Sequence, residues 1–90
     1  MYPSPEDVHE AINKAIAMIK EIYKDEDISD VELEEIERDG EDWLVTVGFN
    51  RQQQRTVLGG LLLPQRTLKV VRIDRTTGEF KGMKIRNPST

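Results

Sequence analysis

The apolar residues of this 90-residue chain change their spacing near residue 25, and that change points to one helix laid against a sheet. Between Val8 and Tyr23, at about 100° per residue, Met18, Ala11, Ile22, Ala15, Val8, Ile19, Ile12, Tyr23 and Ile16 fall in that order within an arc of about 160°. Lys20, Asn13, Lys24, Glu10, Glu21 and Lys14 occupy the remainder, so the segment is an amphipathic helix with one buried face. Ser4 is placed to cap it, Pro5 suits a first helical position that needs no N–H, and Glu6 and Asp7 complement the positive end of the helix dipole. Glu10 and Lys14 add an i,i+4 pair in the favourable orientation. The spacing predicts a helix over residues 5–24, ended by Asp25, Glu26 and Asp27, whose charges oppose the negative end of the dipole.

Beyond residue 30 the apolar side chains recur every second position, the period of a strand with one buried face. Val31 and Leu33 alternate with Glu32 and Glu34 until Ile36 breaks the phase, which predicts a first strand over 31–38 with a bulge or twist. Asp39-Gly40 then signals a tight hairpin in which both residues take positive φ. Trp43, Val45, Val47 and Phe49 alternate with Leu44, Thr46, Gly48 and Asn50, giving a second strand over 43–50 with its large side chains on one face. Residues 66–75 make a third strand, Thr77-Gly78 a turn, 80–85 a fourth strand and 87–90 a frayed tail. The third strand carries Leu68 and Val70 on one face and Val71 and Ile73 on the other, so pattern alone leaves its inward face open. Residues 51–65 are open as well: Gly59-Gly60 and Pro64 punctuate either a long extension of strands two and three or a loop with an apolar tip.

Ninety residues accommodate about one core, because domains run from about 50 to 250 residues. The expected fold is α+β, a single domain over 1–90 with one N-terminal amphipathic helix packed on a four-stranded antiparallel meander sheet. No membrane span is expected, since the longest stretch free of polar side chains, Val57 to Leu63, is seven residues where a spanning helix needs about 20.

Residues that would carry catalysis or hold a metal are sparse. His9 is the only histidine and falls at the margin of the apolar arc, and there is no cysteine, so a zinc site of about three or four soft or imidazole ligands has no donors. Asp25 to Asp30 begins like a calcium loop, but Asp30 stands where that loop needs glycine and Ile36 where it needs its closing glutamate. Glu32, Glu34, Glu35 and Glu37 mostly face water in a period-two strand, which does not suit them to acid–base work. The expectation is a non-enzyme without cofactor or metal.

The net charge of −4 conceals two opposed blocks. Residues 25–50 hold 11 acids and only Arg38, a charge of −10, whereas residues 51–90 hold Asp74 and Glu79 against nine bases, a charge of +7. Such asymmetry bears on association and solubility.

The helix, the Val-Glu-Leu-Glu run before a turn, Asp42-Trp43-Leu44-Val45-Thr46-Val47, and Val71-Arg72-Ile73-Asp74-Arg75-Thr76-Thr77-Gly78-Glu79-Phe80 together resemble PepSY-type domains, whose closing strands carry a comparable Val-x-Val-Asp-x-x-Thr-Gly-Glu run. The likeness covers about two thirds of the chain, and its specific part is Asp74 to Glu79. It implies a module that binds or inhibits peptidases. PepSY-type domains are usually exported, whereas the opening Met-Tyr-Pro-Ser-Pro-Glu-Asp has neither the basic nor the apolar region of a signal peptide, so the expected compartment is the cytoplasm. Trp43-Leu44-Val45 and the closing hairpin are also similar to the cystatin-like and nuclear-transport-factor-like folds used by small bacterial immunity proteins. Cystatins insert a Gln-x-Val-x-Gly hairpin into a protease cleft; here Arg55-Thr56-Val57-Leu58-Gly59 has arginine for glutamine and lies in the second hairpin after the helix, so inhibition of cysteine proteases is not expected.

These readings converge on a non-catalytic interaction or inhibitory module. The candidate partner-binding residues are Arg51, Arg55, Leu61, Leu62, Leu63, Arg66, Lys69, Arg72, Lys81 and Lys84, with the leucines as apolar anchor and the bases orienting an acidic protein partner. The alternative is an anion- or nucleic-acid-binding domain, disfavoured for nucleic acid by a pI near 5.0 and by Phe80 being the lone aromatic among the bases. Weak self-association through the acidic first and basic fourth strands, as opposite sheet edges, is a further expectation.

Overall fold

The helical segment folds as α1 (Pro5–Ile22), and the alternating segments fold as β1 (Ile28–Asp39), β2 (Asp42–Leu58), β3 (Leu61–Asp74) and β4 (Phe80–Ile85). A computed structural model describes the backbone of residues 5–58 and 61–86 and the side chains of 8–51 and 66–86. The strands form one antiparallel sheet in the order β1-β2-β3-β4, with α1 packed on one face, which is the expected α+β meander. Ser4, the side chains of Glu6 and Asp7, Gly59-Gly60 and the tail at 87–90 lie outside the described residues.

The helix stops at Ile22, two residues before the expected end. The Tyr23 amide still reaches the Ile19 carbonyl at 3.0 Å, but Lys24 donates to Glu21 and Glu26 to Tyr23, the tighter i→i+3 pattern with which helices end. The open question of residues 51–65 resolves as a long hairpin: Arg55 pairs with Pro64, Thr56 with Leu63, Val57 with Leu62 and Leu58 with Leu61. The register shifts between Arg51 and Arg55, next to Pro64, which has no N–H to give a ladder. The first hairpin differs from expectation by one residue. Asp39 pairs with Asp42, so Gly40-Glu41 is the loop, and Gly40 (φ +60°) is the one of its two residues with positive φ, as in turns of the II′ class.

Ala11, Ala15, Ile19 and Tyr23, one i,i+4 row of α1, are buried against Trp43, Val45, Val47 and Phe49 of β2 and Val71 and Ile73 of β3. The inward face of β3 is therefore the one bearing Val71 and Ile73, because register sets Val71 opposite Val45 and Ile73 opposite Trp43. At the helix exit the Tyr23 and Phe49 rings lie 4.9 Å apart, and Arg51 sits 5.3 Å over Tyr23 while its Nη2 donates to Glu26 at 2.6 Å. The phase break in β1 is real and double: register shifts between Ser29 and Glu32 and between Leu33 and Glu35 each insert an extra residue. Asp30, at φ +53°, lies within the first, and the second lets Val31 and Ile36, of opposite parity, both pack on the core.

Candidate functional site

A single helix covers a single face of the sheet, so the outward residues of β2 and β3 have no second layer of described structure above them. Register places Asp42, Leu44, Thr46 and Gly48 of β2 beside Asp74, Arg72, Val70 and Leu68 of β3 on this open face. A groove of ≈ 560 Å³ lies along it, lined by Leu44, Val70, Arg72 and the run from Lys81 to Arg86. Leu44 and Val70 make its apolar floor. Four lining residues are bases and none is an acid.

The basic rim depends on a bulge. Strict alternation along β4 would turn Lys81 to the face opposite Lys84 and Arg86. Instead the register with β3 shifts, Arg72 facing Gly82 and Ile73 facing Phe80, so that Lys81 is the extra residue. Gly82 takes φ +156° there, a conformation that side chains disfavour. Lys81, Lys84 and Arg86 thereby share the open face, while Met83 and Phe80 pack on the core.

Three of the four rim bases, Arg72, Lys81 and Arg86, are bound to the acidic half of the chain. Arg72 donates to Asp42 at 2.7 Å and to Asp39 at 3.1 Å. Lys81 donates to the other Asp42 oxygen at 3.0 Å and lies 3.8 Å from Asp74. Arg86 reaches across two strands to Glu35 and to the Thr46 hydroxyl. Asp42 is 6% exposed, a burial that a carboxylate withstands only when paired. Hydrogen bonds from Arg72 and then Lys81 hold its carboxyl below the ordinary 3.8, against the opposing effect of burial. The same contacts raise Arg72, through Asp42 first and Asp39 second, and raise Lys81 through Asp42. A carboxylate so stabilised stays ionised at neutral pH and is poorly suited to proton transfer.

Asp74 is lowered by a different cause, the backbone amides of Thr77 and Thr76, which donate to its Oδ1 at 2.9 and 2.8 Å. With Gly78 N bonded to the Asp74 carbonyl and Glu79 N to Thr77 Oγ1, the Asp74–Glu79 run is a self-capped turn. The stretch that carries the PepSY resemblance is thus held by local turn chemistry.

Of the candidate residues, Arg72, Lys81 and Lys84 gather at the groove. Arg51 pairs with Glu26 at the helix exit, and Arg66 pairs with Glu34 at 2.7 Å, over Gly48. Lys69 lies opposite Val47 and Ile85, on the helix side of the sheet. Arg55, Leu61, Leu62 and Leu63 belong to the β2–β3 extension, where side chains lie outside the described residues. Leu44 and Val70 are groove residues that sequence reasoning did not select; Leu44 had a signal, an apolar residue among Thr46, Gly48 and Asn50, whereas Val70 had none, since β3 carries apolar residues on both faces. Arg51, Arg66, Arg72, Lys81 and Arg86 each pair with a carboxylate from residues 25–50, so the two charge blocks meet across the sheet.

Among the described residues no helix is long and apolar enough to cross a membrane, and no three His, Asp or Glu side chains are grouped as a metal site. No family model matches the chain, and no curated protein or solved structure matches it.

Proposed function

We propose that this protein is a non-catalytic interaction module that takes an extended, acidic segment of a protein partner along the open face of its sheet. The observation that carries the reading is the groove over Leu44 and Val70, whose rim is four bases and whose lining holds no acid. An apolar side chain of the segment would rest on the floor and a neighbouring carboxylate would meet Lys84, the usual division between a buried centre and a polar rim. The resemblance to PepSY-type and cystatin-like modules implies a non-catalytic binding role, which is the part of this reading that it supports. A nucleic-acid-binding role has less support, because the pI is near 5.0 and the groove lining holds no aromatic side chain on which a base could stack.

Lys84 is the base on which to test this, since reversing Arg72 or Lys81 would strand the buried Asp42. Peptides selected from a random library on the intact protein are expected to combine Asp or Glu with a large apolar residue. Their binding should shift the amides of β4, Leu44 and Val70 and should weaken about tenfold in Lys84→Glu. Selected peptides that map to another surface, or that bind Lys84→Glu unchanged, would overturn the reading.

A further inference from the structure

The open face carries opposite charge along its two edges. Register with β2 turns Glu35, Glu37 and Asp39 of β1 outward beside Thr46, Leu44 and Asp42, while β4 supplies Lys81, Lys84 and Arg86 at the far edge. Leu44 and Val70 lie between them, on the two central strands. Among the described residues, the ion pairs around the groove join Arg72 to Asp39 and Asp42, Lys81 to Asp42 and Asp74, and Arg86 to Glu35. Glu37 and Lys84, both exposed, take part in none of them.

Glu37 is registered beside Leu44, and Lys84 beside Val70. The diagonal Glu37, Leu44, Val70, Lys84 therefore reads acid, apolar, apolar, base across the four strands. Turned over by a twofold axis lying between two facing sheets, this order meets its own complement, acid over base and Leu44 over Val70, at both ends at once. Packed sheets stand about 10 Å apart, a gap that a glutamate and a lysine side chain span between them. Pairing through the sheet edges is disfavoured instead, because β1 carries two register shifts and β4 one, irregularities that blunt an edge. On the reading that the open face docks an acidic protein, we infer that its partner is a second copy of this chain, in a face-to-face twofold dimer that sets Glu37 of each copy against Lys84 of the other. The extended acidic segment along the basic rim is then β1 of the second copy. Four strands at about 4.8 Å and about six residues at about 3.4 Å make a face of about 400 Å², half the about 800 Å² per partner of a standard interface, so the dimer is weak and concentration-dependent.

Sedimentation equilibrium of the intact protein, from about 10 μM to about 1 mM, is expected to show monomer and dimer with a Kd on the order of 100 μM that rises with added salt. Glu37→Lys and Lys84→Glu each place like charges at both contacts and should raise the Kd at least about tenfold. The two variants mixed in equal amounts should return to within about threefold of the parent Kd, because both contacts of the mixed dimer again join unlike charges. Recovery on mixing cannot arise within one chain. A chain that stays monomeric at about 1 mM, self-association that neither variant weakens, or a mixture that associates no better than the separate variants overturns the inference. Peptide selection carried out well below this Kd tests the docking face by itself: acidic peptides that bind the groove of a chain that never dimerises keep the docking face and discard the second copy.

Discussion

Replacing Gly82 by alanine tests whether the β4 bulge is what assembles the basic rim of the groove. A Cβ built on Gly82 meets nothing within 4 Å, so no steric clash contributes to the cost. What remains is the backbone: at φ +156° an L-residue is held in a region that only glycine populates readily, at a cost of about 1–3 kcal/mol. A value of about 2 kcal/mol corresponds to a fall in melting temperature of about 8–16 °C for a domain of this size. Replacement by D-alanine separates strain from loss of the glycine itself. The D-residue adopts this φ without penalty and restricts the unfolded chain, so it should match or exceed the parent stability, by about 0.4–1 kcal/mol. Urea denaturation of the three proteins, the D-form made by peptide ligation, provides the comparison. An L-variant within about 0.3 kcal/mol of the parent, or a D-variant as destabilised as the L-variant, would refute the strain argument.

The paired Asp42 makes stability sensitive to acid. Its carboxyl is lowered in the folded protein from 3.8, so its contribution is complete above that value and is lost as pH falls through the lower folded value. Urea midpoints of the parent and Asp42→Asn should differ most near neutral pH and converge in strong acid; a gap that is constant with pH would contradict this. Phe49→Ala removes a fully buried ring against Tyr23 and should cost about 3–5 kcal/mol in urea denaturation, a large share of the about 5–13 kcal/mol typical of 90 residues. Gly48→Ala places a Cβ 2.6 Å from Glu34 Oε2 and 3.0 Å from Arg66 Nε, both on movable side chains. It should displace that exposed pair yet change stability by less than about 0.5 kcal/mol, since the pair's contribution of about 0–1 kcal/mol is offset by lost chain freedom. A larger loss would show that the Arg66–Glu34 pair contributes more than exposed pairs do.

The charge blocks show how far pattern alone carries. Counted along the chain, −10 and +7 suggest a surface kept free for a partner; in the folded sheet Arg72, Lys81 and Arg86 are bonded to Asp42, Asp39 and Glu35. Composition counts charges but holds no information on register, and register decides which side chains on neighbouring strands lie within about 5 Å of one another. Leu44 was legible as an outward apolar residue of β2, whereas Val70 was not, because β3 carries apolar residues on both faces; their union into a floor required the pairing of Leu44 with Arg72 and of Thr46 with Val70.

Local chemistry determined the helix, the four strands and the turns at Gly40 and Gly78, because period and φ preference act over a few neighbouring residues. Tertiary structure decided which face of β3 is buried, the long β2–β3 hairpin and the gathering of Lys81 with Lys84. Each of these turns on parity, since one extra residue in a strand moves every following side chain to the other face. Whether a bulge inserts that residue is settled by the packing of both strands and the helix together, which no single stretch of sequence contains.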